Sequence, residues 1–198
     1  GTIEVDVSMS LDDFNFDPEL STAGTLPARW YRDPSILMLE QKRVFGSFWQ
    51  HVGRTDQLAR PGDFLTCTVG EEPMIVARDA GGDLRAFSNV CRHRAGPVAR
   101  GCGNRKSFQC AYHGWTYDLE GRLTRTLEFD EVQNFDRATT VLPSARVGVW
   151  GPLVFVARDP DAPPFDEFLG AMPSETEPYR YHTMRFYKRV VFDLECNW

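Results

Sequence analysis

Cys91-Arg92-His93-Arg94 and, further along, Cys110-Ala111-Tyr112-His113-Gly114-Trp115 decide how this chain is read. Each stretch sets a thiol and an imidazole a few residues apart, as C-x-H in the first and C-x2-H in the second. Gly96, Pro97 and Gly114 stand just behind them; they let the backbone turn tightly and present N–H groups to an anionic guest. Two such loops folded against each other aim four soft or borderline donors at one point. A structural zinc is one guest for two Cys and two His. Zinc fingers, however, favour C-x2-4-C and H-x3-5-H pairs, whereas each loop here supplies one donor of each kind.

The surrounding residues place both loops among short strands. Leu65, Cys67 and Val69 alternate with Thr66 and Thr68 after the Arg60-Pro61-Gly62-Asp63 turn. Met74 to Ala77 and Leu84 to Phe87 flank Asp79-Ala80-Gly81-Gly82-Asp83, and Trp115 to Leu119 and Leu123 to Thr126 flank Glu120-Gly121-Arg122; both patterns predict hairpins. Val147 to Trp150 and Leu153 to Val156 sit about Gly151-Pro152. The prediction is a mainly β chain, with a small antiparallel domain over 49–158 and one helix before it. That helix is expected over 34–48. Asp33-Pro34 reads as an N-cap followed by proline in the first turn, and Leu37, Val44 and Phe48 recur at helical spacing. Residues 1–48 are thus an arm and helix, the arm's Asp12, Asp13 and Asp17 reading as a solvated terminus. Residues 159–198 are a linker rich in Pro and Asp, then a long strand on which Met184, Phe186, Val190, Phe192, Leu194 and Cys196 alternate.

Composition excludes several function classes. Of 198 residues, 42% are hydrophobic and 25% charged, enough for a packed core. A net charge of −6 disfavours nucleic acid as a partner, since no broad basic face would displace counterions from phosphates. No apolar run reaches the roughly 18 residues of a membrane span, so no membrane role is expected. Five cysteines without secretory features argue for reduced thiols and a cytoplasmic setting.

The C-x-H and C-x2-H spacing resembles the Rieske family, in which two Cys hold one iron of a [2Fe-2S] cluster and two His the other. The resemblance implies Cys91, His93, Cys110 and His113 as metal ligands, with Arg94, Tyr112, Gly114 and Trp115 around them. Neutral imidazoles in place of two thiolates remove negative charge, so an added electron meets less repulsion and the potential rises. Respiratory members of the family carry a disulfide clasp and a serine hydroxyl bonded to a sulfide. Gly96, Tyr112 and Trp115 stand at those positions here, which implies a potential toward the low end of roughly −150 to +300 mV. Those loops, Val149-Trp150-Gly151-Pro152-Leu153-Val154 and Asn197-Trp198 are similar to the large subunit of Rieske non-heme iron oxygenases, a group spanning ring-hydroxylating dioxygenases and choline, carnitine or betaine monooxygenases.

The resemblance implies an oxidoreductase component that receives single electrons from a reductase or ferredoxin. It would pass them to a mononuclear Fe(II) in a catalytic domain expected outside these residues. Neighbouring subunits of a trimer would share the path, His113 bonding to a carboxylate of the next chain. A free-standing Rieske-type ferredoxin is the alternative; the helix, linker and final strand argue against it. Outside the loops, Cys67 and Cys196 read as buried structural thiols and Cys102 as an exposed one. His51 reads as a scaffold residue, and His182 lies among Tyr179, Arg180 and Tyr181. Trp115 and Tyr112 are expected to shield the cluster from water, and Arg92 and Arg94 either offset its charge or are solvated.

Overall fold

The computed structural model describes residues 13–127, 129 and 132–196. Two compact units emerge, one of residues 1–44 and 186–198, the other Phe45–Arg185. Asp12 and the Asn197-Trp198 pair lie outside the described residues.

The larger unit is built on antiparallel strands, as the alternation and hairpin signals require. Its main sheet has seven strands: β1 (Gln50–Arg54), β2 (Asp63–Val69), β3 (Glu72–Arg78), β4 (Leu84–Ser88), β5 (Cys102–Asn104), and two strands numbered below. A three-stranded sheet runs β6 (Phe108–Gln109), β7 (Thr116–Tyr117), β8 (Leu123–Arg125) in that spatial order. With β9 (Ser144–Trp150) and β10 (Leu153–Ala157), the main sheet orders β1-β10-β9-β4-β3-β2-β5. β5 and β6 are too short to carry a period and went unread in the sequence.

Strand β3 shows why the sheet reads as an unbroken apolar run at its centre. Met74 and Val76 enter a core with Leu58, Leu65, Val69, Ala86, Val154 and Val156. Ile75 and Ala77, pointing the other way, join Phe64, Phe87, Phe108, Cys91, Cys110, Trp115 and Tyr117. Both faces of the sheet are therefore buried, and the second core contains the two motif cysteines. The β3–β4 hairpin closes on Asp79. Its carboxylate accepts from the Asp83 N–H at 2.8 Å and from Arg85 Nε at 2.8 Å.

Helix α1 (Pro34–Glu40) starts where the cap chemistry places it, with the Asp33 side chain accepting from Ser35 N. It does not run to 48: from Gln41 to Phe45 the chain winds into a π-turn, and Gly46-Ser47 follow. The wider turn breaks the 3.6-residue stripe, so Val44 and Phe48 are exposed rather than inward. The arm is not simply solvated. Asp13 accepts from Arg29 Nε at 2.6 Å and from Trp30 Nε1 at 3.1 Å, and Asp17 accepts from Glu19 N and Thr22 Oγ1.

The C-terminal expectations need two corrections. The linker is pinned: Trp49 Nε1 donates to Pro163 O at 2.8 Å and Arg146 lies 4.9 Å over the Trp49 ring. Two short helices that the sequence reading missed follow, α2 (Phe165–Leu169) and α3 (Met172–Thr176). Residues 184–196 form no strand, and Phe186, Tyr187, Phe192, Leu194 and Cys196 are exposed. Alternation gives a segment two faces, but a strand forms only where its N–H and C=O groups meet a neighbour's. No described strand pairs with this segment. Cys196 is accordingly an exposed thiol, not a buried one.

Candidate metal centre

The two motif loops are built alike. In the first, between β4 and β5, Cys91 N donates to Gly96 O and Ala95 N donates back to Cys91 O, at 2.9 and 3.0 Å. In the second, between β6 and β7, Cys110 N donates to Trp115 O and Gly114 N to Cys110 O, both at 2.9 Å. Each cysteine thus opens a five-residue knuckle whose last residue is left-handed, Ala95 at φ 53° and Gly114 at φ 72°. A Val90–Pro97 bridge closes the first loop. Buried Asn89 anchors its far side, its Oδ1 accepting from Val98 N and Ala99 N and its Nδ2 donating to Ala99 O.

The knuckles gather the donors by kind. Cys91 and Cys110 are both buried free thiols. Burial pushes the Cys110 thiol pKa up and the Cys91 thiol beside it pushes the same way, while the backbone N–H groups of Tyr112 and His113 favour the thiolate. The imidazoles of His93 and His113 lie with ring centroids 4.6 Å apart. Among the described residues no three or more of His, Cys, Asp and Glu gather as a single ion requires. The four candidate ligands thus lie as two pairs, thiol beside thiol and imidazole beside imidazole.

The histidines differ in surroundings. His113 is exposed, with the Tyr112 ring 3.9 Å away on the solvent side. Tyr112 is itself 65% exposed, so it covers His113 without being part of the core. His93 is half-buried, stacked on Trp115 and edged by Phe129. Burial lowers its pKa first, and the His113 and Arg94 charges lower it further. Arg92 and Arg94 are exposed.

Two glycines leave little room for a side chain. A Cβ at Gly96 would meet Cys110 Sγ at 3.2 Å, and one at Gly114 would meet Leu127 Cδ1 at 2.5 Å. Tyr117 was missed by the sequence reading. Fully buried, its hydroxyl accepts from Arg92 N at 3.0 Å and stands 3.3 Å from Cys91 Sγ. The signal was available in the alternation of Trp115, Tyr117 and Leu119, which puts all three on one face. Elsewhere, Cys67 is half-buried and its pKa is pushed up to about 11 by burial, which suits an inert thiol. Cys102 is exposed on β5. His51 is an exposed β1 residue edged against Phe155, and His182 is exposed in a turn over Tyr181–Thr183.

The residues present fit a [2Fe-2S] group. His93 Nδ1 is buried with no hydrogen-bond partner, as a ring nitrogen reserved for a metal would be. Two buried thiols side by side are costly to ionise unless a cation arrives to compensate them.

Comparison with known proteins agrees. The Rieske [2Fe-2S] domain family matches residues 48–136. A chloroplastic choline monooxygenase of Beta vulgaris is 34% identical over 190 residues, covering 92% of this chain and 43% of the relative. The chlorobenzene dioxygenase subunit alpha of a Cupriavidus strain is 38% identical over 150 residues, covering 75% of this chain and 33% of the relative. Among solved structures, an apo quaternary ammonium Rieske monooxygenase superposes with a TM-score of 0.74 at 29% identity, over 79% of this chain and 46% of that one. The chain spans under half the length of each of these relatives. The choline monooxygenase match, over 190 residues, extends beyond the Rieske region of residues 48–136. Among the described residues no helix is long and apolar enough to cross a membrane. Fold, donor set and relatives together make this chain a member of the Rieske [2Fe-2S] family, corresponding to the N-terminal Rieske domain of oxygenase alpha subunits.

Proposed function

We propose that Cys91 and Cys110 hold one iron and His93 and His113 the other of a [2Fe-2S] group, and that residues 49–158 form the electron-transfer module of a multicomponent Rieske oxygenase. The observation that carries this reading is the pairing by kind: two buried thiols together, two imidazoles 4.6 Å apart. Bound there, the group supplies a one-electron store. The chain's residues do the rest. Trp115 and Phe129 keep water from His93, while exposed His113 offers its outer ring nitrogen to a partner carboxylate.

Electrons would enter from a reductase or ferredoxin and leave toward a mononuclear non-heme iron in the catalytic part of the oxygenase, across the contact between neighbouring subunits. Residues 159–198 would form the passage toward that part. The names of the relatives, choline monooxygenase and chlorobenzene dioxygenase, support oxygenation of an organic substrate as the overall reaction. Five free cysteines among the described residues suit a reducing compartment; we propose the cytoplasm, although the plant relatives are chloroplastic.

Iron and acid-labile sulfide analysis of the purified chain tests the centre. Equal amounts of iron and sulfide, two of each per chain, are expected, with loss of colour in Cys91→Ser and Cys110→Ser. One zinc per chain after expression with ample iron would refute it.

A further inference from the structure

We propose that Trp115 is a positioning residue for His93, setting the plane of its imidazole through a parallel aromatic stack and not through the indole N–H. The inference rests on the proposed assignment of the four cluster ligands. The two rings lie with centroids 4.8 Å apart and planes 12° from parallel, so the imidazole cannot rotate out of plane without striking the indole. His93 Nδ1, the ring nitrogen left for the metal, has no hydrogen bond, so a bond to iron would fix one atom of the ring and the indole would fix its plane.

The indole in turn is held from behind. Phe129 and Phe135 stand 5.1 and 5.4 Å from Trp115 and 4.8 Å from each other, and both pack on the buried core that contains Trp115. Trp115 is 3% exposed, yet its Nε1–H has no acceptor. A buried donor left unpaired is a cost that a residue chosen only to fill space would not carry, since Leu or Phe fills space without it. What tryptophan adds is a broad, flat ring pressed on an imidazole. His113, the other imidazole, is exposed, and the ring beside it, Tyr112, is tilted 31° from it and itself largely in solvent, so the two histidines are restrained to different degrees.

The test compares Trp115→Phe, Trp115→Leu and Phe135→Leu in the full 198-residue chain. Iron and sulfide per chain are measured first, then the principal g values of the dithionite-reduced protein by electron paramagnetic resonance. Trp115→Phe keeps a flat ring and is expected to keep the wild-type g values. Trp115→Leu is expected to shift and broaden them at full iron loading, and Phe135→Leu to do the same to a smaller extent. If Trp115→Leu does not fold, Phe135→Leu decides. Unchanged g values in a fully loaded Trp115→Leu or Phe135→Leu would show plain packing and overturn the proposal. So would a shift in Trp115→Phe as large as in Trp115→Leu, which would assign the effect to the N–H. Absence of iron and sulfide from the wild type would instead refute the ligand assignment on which the inference rests.

Discussion

The Tyr117 hydroxyl stands 3.3 Å from Cys91 Sγ while its oxygen accepts the Arg92 N–H at 3.0 Å. That second bond fixes the direction of the first: with its oxygen already serving as acceptor, the hydroxyl hydrogen is free to point at sulfur. Burial pushes the Tyr117 pKa up, so the hydroxyl stays protonated and remains a donor. A donor beside a thiolate favours whichever state carries more negative charge, which is the reduced one.

Tyr117→Phe should therefore lower the midpoint potential. A tenfold loss of preference for the reduced state corresponds to about 59 mV for one electron, and a drop of that order is expected by protein-film voltammetry. Because Phe also leaves the Arg92 N–H unpaired, stability should fall by about 1–3 kcal/mol. An unmoved potential in a fully loaded variant would show that the hydroxyl does not donate to sulfur.

Much of this was readable because it is local. Cys91-x-His93 and Cys110-x2-His113 each fit within one turn, as does the Asp33-Pro34 start of α1. The β3–β4 hairpin announced itself through Asp79, Gly81, Gly82 and Asp83. What stayed hidden depends on distant partners. Nothing near Tyr117 in the chain says that it meets Cys91, and Asn89 reads as a loop residue until its three hydrogen bonds are seen. The same limit explains residues 184–196, where alternation was present and a pairing strand was not.

The two knuckles make opposite predictions at equivalent positions. Gly114 sits at φ 72° with Leu127 Cδ1 2.5 Å from where a Cβ would be, so Gly114→Ala adds backbone strain and a clash. A loss of more than about 1 kcal/mol is expected. Ala95 already bears the left-handed conformation at φ 53°. Ala95→Gly removes its steric strain but loosens the unfolded chain, and should change stability by less than about 1 kcal/mol. Urea unfolding of the two variants beside wild type measures both, and an equal loss in each would mean that the knuckles are not equivalent in strain.

The Asp79 carboxylate predicts how the fold responds to acid. Burial alone would raise its pKa, but the Arg85 hydrogen bond and the Asp83 N–H outweigh burial and hold the carboxyl below its ordinary value. A carboxyl depressed in the folded state binds its proton more readily when unfolded. Its contribution is therefore fully present above the ordinary carboxylate pKa of about 4 and is lost as pH falls through the lower folded value. Arg85 is 48% exposed, so solvent screens the charge part of the pair and the effect should be modest. Asp79→Asn removes the titration while keeping an oxygen for the Asp83 N–H. Its unfolding free energy should lie below wild type at pH 7, and the two curves should converge as pH falls from 4 toward 2. Urea unfolding across that range tests the assignment, and curves that stay parallel would place the acid sensitivity of this hairpin elsewhere.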